Sequence, residues 1–123
     1  MTLPKLQHMT VAQLVELFTG VALAQDEALL MNDIANATRL YWQLKKIEGE
    51  LKARKSDERR ALLKLYNHAN MQVRLKAAKA TLAVAPEAAR QELQAIANSR
   101  EYPQAGEAGM SLRNLDRGIY KPT

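Results

Sequence analysis

An all-α fold follows from three observations on these 123 residues. Glycine and proline are scarce, at five and four, while the strong helix formers Ala, Leu, Lys, Arg, Glu and Gln are abundant. Apolar residues recur at intervals of three and four along most of the chain. No segment alternates with period two across a β-branched run, and no Asn-Gly or Asp-Gly pair marks a hairpin. The length is that of one domain, with enough apolar surface for a core without staples.

The elements follow in order. Thr10 is an N-cap, with Gln13 three residues on to complete a capping box. Val11, Leu14, Val15, Phe18, Val21 and Ala22 then keep helical spacing, and this first helix is expected to reach about residue 29. Residues 1–9 precede it as a flexible tail. A second helix starts near "NDIANATRLY", capped by Asn32, with Asp33 favourable to the helix dipole. Its core face reads Leu30, Ile34, Ala37, Tyr41, Leu44, Ile47 or Glu48, and Leu51, and the two helices form a hairpin over residues 10–54.

Ser56 opens a third helix, with Asp57 and Glu58 in its first turn and Leu62, Leu63, Leu65 and Tyr66 on its buried side. "NHAN" (67–70) is turn chemistry, and Asn70 caps a fourth helix that ends before Pro86. Pro86 suits the first turn of a fifth, "PEAARQELQAIAN". "SREYPQAG" reads as a loop, and a sixth short helix, "EAGMSLRNLD", ends near Gly118. Six helices with short joints favour antiparallel neighbours.

The fourth helix is unusual. Met71, Leu75, Ala78 and Leu82 form one apolar stripe, and Val73, Ala77, Ala80 and Val84 form another nearly opposite. Gln72, Lys76 and Lys79 lie between them on one side. Two stripes of mostly small residues mean neighbours on two sides, approaching near the ~8 Å end of helix packing distances.

"LLKLYNHANMQVRLKAAKATL" (62–82) resembles a HEAT repeat: a Leu-rich helix, a tight turn, then Val-Arg and an Ala pair. Where that pattern usually has Asp in the turn, this chain has His68 and Asn70. An offset of 33 matches Leu63 with Ile96, Ala77 with Met110 and Leu82 with Leu115, a second and more degenerate copy. The whole chain also resembles a small bacterial family catalogued as a domain of unknown function. The residues that carry this are "ALAQDEALL", "RLYWQLKKIEGELKAR" and "MQVRLKAAKATLAVAPEAAR". That resemblance implies a HEAT/armadillo-like α–α superhelix: a single domain with the hairpin followed by HEAT-like units at 56–84 and 86–117. It brings no catalytic residues.

Little points to catalysis. There is no phosphate-binding Gly loop, nucleophile elbow or His-Glu-x-x-His, and no cysteine for a thiol or a Cys-based metal site. His8 and His68 stand apart, so no metal or cofactor is expected. The cysteine-free composition fits a reducing cytoplasm, and no apolar run approaches the ~20 residues of a membrane span.

The net charge of +5 is uneven: residues 45–79 hold eleven basic and four acidic side chains. Lys45, Lys52, Arg54, Lys55, Arg59 and Arg60 form a candidate basic patch for phosphates. Interleaved Glu48, Glu50, Asp57 and Glu58 oppose it, and no series of stacking aromatics accompanies it. Trp42, the single tryptophan, falls off the main core face on a stripe with Met31, Ala35 and Gly49. It either packs on the "LPKL" tail or on another helix, or anchors an interface, with Arg39 and Lys46 one turn to either side as a polar rim. The run "AGEAG" (105–109) either permits close helix approach or marks a loose helix start.

The expected function is non-enzymatic protein binding, as an adaptor or an immunity-type protein, through a partner protein or self-association. Residues 34–51 approximate a pattern of small bacterial immunity proteins. The alternative is nucleic-acid binding through residues 45–79.

Overall fold

The computed structural model describes residues 3–123. It contains five α-helices: α1 (Val11–Leu30), α2 (Ile34–Ala53), α3 (Met71–Ala80), α4 (Pro86–Asn98) and α5 (Gln104–Asp116). Two 3₁₀ segments, Leu6–His8 and Glu58–Asn67, complete it, and there is no strand among the described residues. The chain is all-α. It divides into two compact units between Ala61 and Leu62.

In the first unit α1 packs along α2. Thr10 and Gln13 form the expected capping box. The turn between the helices differs from expectation. Asn32 has φ +56 and does not cap α2; it ends α1. The Asn32 N–H donates to the Leu29 carbonyl and the Asp33 N–H to the Ala28 carbonyl, a Schellman closure in which Asn takes the position usual for Gly. Asp33 is the N-cap of α2, its carboxylate accepting from the Asn36 N–H at 3.2 Å.

The buried face of α2 is Ala37, Leu40, Gln43, Leu44, Ile47 and Leu51. Leu40 therefore replaces the expected Tyr41, which is half-buried, while Leu30 and Ile34 are 79% and 59% exposed. Two large apolar side chains in adjacent positions offer two faces about 100° apart. The aliphatic one is buried. Residues 3–9, expected as a tail, include the Leu6–His8 turn, and the Leu6 carbonyl accepts from Arg54. Residues 1–2 lie outside the described residues.

The expected third helix is the 3₁₀ segment. With three residues per turn, Arg59, Leu62 and Leu65 fall on one face, and all three are buried. Asp57, with φ +49, sets the entry.

In the second unit α3 packs on α4 and α5, and α4 packs on α5. Asn70 caps α3 by accepting from the Val73 N–H at 3.1 Å, and His68 Nδ1 accepts from the Asn70 N–H at 2.9 Å. Burial on two sides of α3 is as expected: Val73, Leu75, Ala77 and Ala78 are fully covered. Leu75, Ala78 and Leu82 join Ala89, Leu93, Ile96 and Ala108 in one core cluster. After α3 the Thr81 hydroxyl, hydrogen-bonded to the Tyr66 phenol, also donates to the Ala77 carbonyl at 2.9 Å. Burial pushes the Tyr66 phenol above its usual pKa. Pro86 opens α4 as expected. α5 starts at Gln104, inside the expected loop, and closes at Gly118 (φ +70) by the same pair of bonds that ends α1.

Candidate functional site

Trp42 stands on the outer face of α2, 60% exposed. Capping at Asp33 and the buried row from Ala37 to Leu51 fix the rotation of α2, and that rotation turns position 42 to solvent. Its indole meets Tyr41 edge-on, with centroids 5.0 Å apart and planes at 81°. Lys45 Nζ lies 5.8 Å from the Tyr41 ring centroid and 3.8 Å from the Glu48 carboxylate. Arg39 and Lys46 are exposed on the same face, one turn before and after Trp42, and Arg39 also donates to the Asn36 side chain. The three expected residues of the interaction surface are thus brought together. Leu30, Met31 and Ile34 add exposed apolar surface at the α1–α2 turn.

The helices that carry this face recur in known proteins. One family's sequence profile matches residues 12–116, under the description domain of unknown function (DUF2019). The chain belongs to the DUF2019 family. Among solved structures it is similar to the protein RPA1889 from Rhodopseudomonas palustris CGA009, at 52% identity and a TM-score of 0.94. That match covers 98% of this chain and 100% of the other. No curated protein matches.

Two of the six residues of the candidate basic patch in this DUF2019 chain have internal partners. Arg54 turns inward: its Nε sits 2.7 Å from the Glu50 carboxylate, and its Nη2 donates to the Leu6 and Met9 carbonyls at 3.1 and 2.8 Å. Arg59 is buried against Asp57, with Nε and Nη2 at 2.9 and 2.7 Å from the two carboxylate oxygens. The hydrogen bonds from Arg59 hold the Asp57 carboxyl below its usual pKa. Lys45, Lys52, Lys55 and Arg60 are exposed.

Sequence reasoning missed a polar clamp between α3 and α5. Glu107 accepts from Lys76 Nζ at 3.0 Å and Lys79 Nζ at 2.9 Å. Beside it the buried Gln104 side chain donates to Gln72 at 2.9 Å. Burial works against the Glu107 charge, yet the two ammonium groups together outweigh it and hold the carboxyl below its usual value. The signal was present: a lone glutamate in "AGEAG", and Gln72, Lys76 and Lys79 aligned between two apolar stripes. Two open grooves accompany these features. One of about 450 Å³ runs between α4 and α5 past Ala97, Tyr102, Gly106 and Arg113. One of about 600 Å³ lies between residues 3–7 and Gln43, Lys46 and Glu50 of α2. Among the described residues no three His, Asp or Glu side chains gather as metal ligands, and no helix is long and apolar enough to cross a membrane.

Proposed function

We propose that this chain is a cytoplasmic, non-enzymatic protein-binding module of HEAT-like helix pairs that docks through the outer face of α2. The observation that carries this is Trp42. A large aromatic side chain is 60% exposed, in edge-on contact with Tyr41 and edged by Arg39 and Lys46. Trp and Arg dominate binding energy at protein interfaces, and Trp supplies a large contact area from few rotatable bonds. The cationic rim favours a surface that presents an apolar socket edged by carboxylates. The nucleic-acid reading loses support because Arg54 and Arg59 are engaged by internal partners.

The test is capture of partners by tagged chain from nuclease-treated lysate, at low and physiological salt, with Trp42→Ala alongside. The expected result is a protein retained by the native chain at both salts and lost with Trp42→Ala, while folding stability changes by less than about 0.5 kcal/mol. Without nuclease, recovery of nucleic acid alone, falling away as salt rises, would overturn the reading in favour of Lys52, Lys55 and Arg60. Loss of folding with Trp42→Ala would also overturn it, by making the indole structural.

A further inference from the structure

The groove between α4 and α5 carries recognition groups that the fold does not use. It has a volume of about 450 Å³, and Ala97, Ala105 and Leu112 give it apolar surface. Tyr102, 72% exposed, and Arg113, also exposed, line its α5 side. Among the described residues neither side chain has a hydrogen bond, ion pair or ring contact. Asp116, the acidic group of the lining, is held by Arg90 at 3.0 Å, so the groove presents one unneutralised positive charge, that of Arg113. Between Tyr102 and Arg113 the wall of α5 is bare backbone. A Cβ on Gly106 would stand 3.7 Å from the Tyr102 ring, and one on Gly109 would stand 3.6 Å from Arg113 Nη1, folded back one turn. Beyond the adjacent residues, no other side chain comes within 4 Å of either position. Both are ordinary van der Waals distances, and neither glycine has a positive φ. Alanine would therefore fit at each, and helix propensity favours it. What glycine does here is open the groove down to the α5 main chain.

We propose that this groove binds a small aromatic carboxylate. The site belongs to the second unit alone and does not depend on the α2 face. Cβ positions three residues apart on a helix are about 5–6 Å from one another, so the ring and the guanidinium flank a short trough. A cavity of ~150 Å³ holds one benzene ring, and the larger volume here admits a fused bicyclic acid. Such a ligand lies with its π-face offset on the Tyr102 ring and its edge over Ala97 and Leu112. Its carboxylate accepts two parallel hydrogen bonds from the Arg113 guanidinium, the geometry in which arginine binds carboxylates best. Charge sets the class. One free cation matches a monoanion, whereas the second charge of a phosphate monoester would meet no partner and would face Asp116. A neutral aromatic would leave the guanidinium beside its ring without a counter-charge.

The probe is 2-naphthoate, titrated into the full chain and followed by backbone amide chemical shifts. Saturable shifts should gather in residues 94–97 and 102–116, with half-saturation below about 1 mM. The amide 2-naphthamide has the same shape without the charge and should bind at least about tenfold more weakly. Arg113→Gln should weaken the acid by a similar factor. Tyr102→Phe should bind as the native chain does, and Tyr102→Leu about fivefold more weakly. The glycines separate ligand from fold. Gly106→Ala and Gly109→Ala should each raise the melting temperature by about 2–4 °C while weakening the acid about fivefold or more. Absence of saturation up to about 10 mM would overturn the proposal. So would equal binding of acid and amide, an Arg113→Gln chain that binds unchanged, or shifts centred outside α4 and α5. Alanine at 106 and 109 that left binding intact would also overturn it, because the open wall of α5 would then serve no ligand.

Discussion

The two units of the chain are held together in different ways. In the first, two helices of 20 residues pack along one another with large apolar side chains such as Leu14, Phe18, Leu40 and Ile47 fully buried. The ion pairs Lys45–Glu48, Arg54–Glu50 and Arg59–Asp57 within it are local, each joining residues within four positions. In the second, two helices of 13 residues pack on an alanine-rich inner helix of 10. There the ion pairs cross between helices: Arg74 with Glu92, Lys76 and Lys79 with Glu107, Arg90 with Asp116. Alanine buries little apolar area, so a short Ala-rich helix gains little from the hydrophobic effect and leaves its register loosely defined. Polar groups of fixed geometry supply the register that bulk does not. Where large apolar side chains hold two long helices, as in the first unit, the outer faces are free to carry something else.

The contrast predicts opposite sensitivities. The largest effect belongs to the inner helix. Ala77 has no exposed surface, and Ala77→Leu should overpack the site and lower stability by about 1–3 kcal/mol in chemical denaturation. A neutral result would mean that α3 has slack on its Val73–Ala77 side and that small residues there are not required by close packing. Next comes Arg54, a charge in the first unit that reaches far along the chain. Arg54→Met removes the donors to Leu6 and Met9, and should cost about 1–2 kcal/mol and speed hydrogen exchange in residues 6–11. The neighbouring exposed Arg60→Met should stay within about 0.5 kcal/mol of the native chain. Equal effects from the two would show that the segment before α1 is not held by Arg54.

How much of this is legible in the sequence depends on how local its cause is. Capping at Thr10 and Asn70 and the start at Pro86 are readable, because a cap is a bond between residues three apart. The two-sided burial of α3 is readable because alanine on both faces leaves room for close neighbours on both. The turn at Asn32 misleads, since Asn can serve as an N-cap or in the left-handed position, and Asp33 next to it can also cap. The 3₁₀ segment reads as an α-helix, since "LLKLY" satisfies both periods and the burial of Arg59, which decides between them, needs the Asp57 clasp. At the candidate site, Trp42 with Arg39 and Lys46 is visible from the spacing of α2 alone.

The smallest effect sharpens the comparison most. Glu107 is held below its usual pKa by Lys76 and Lys79 against the cost of burial. A depressed carboxyl stabilises the fold above the pKa it has in the unfolded chain, and that contribution fades as pH falls through the folded value. The loss therefore belongs to acid below about pH 4.5, the ordinary glutamate range, and not to neutral solution. Its side chain is 38% exposed, so solvent screening keeps the contribution under about 1 kcal/mol. In the first unit the pairs Lys45–Glu48, Arg54–Glu50 and Arg59–Asp57 do not join α1 to α2 in this way. On acidification, amides of α3 and α5 should lose exchange protection before those of α1 and α2, and Glu107→Gln should remove that lead while sparing the neutral-pH fold. If both units opened together in the native chain, the polar clamp would not be what sets the register of the second, and the packing of its small residues would have to suffice.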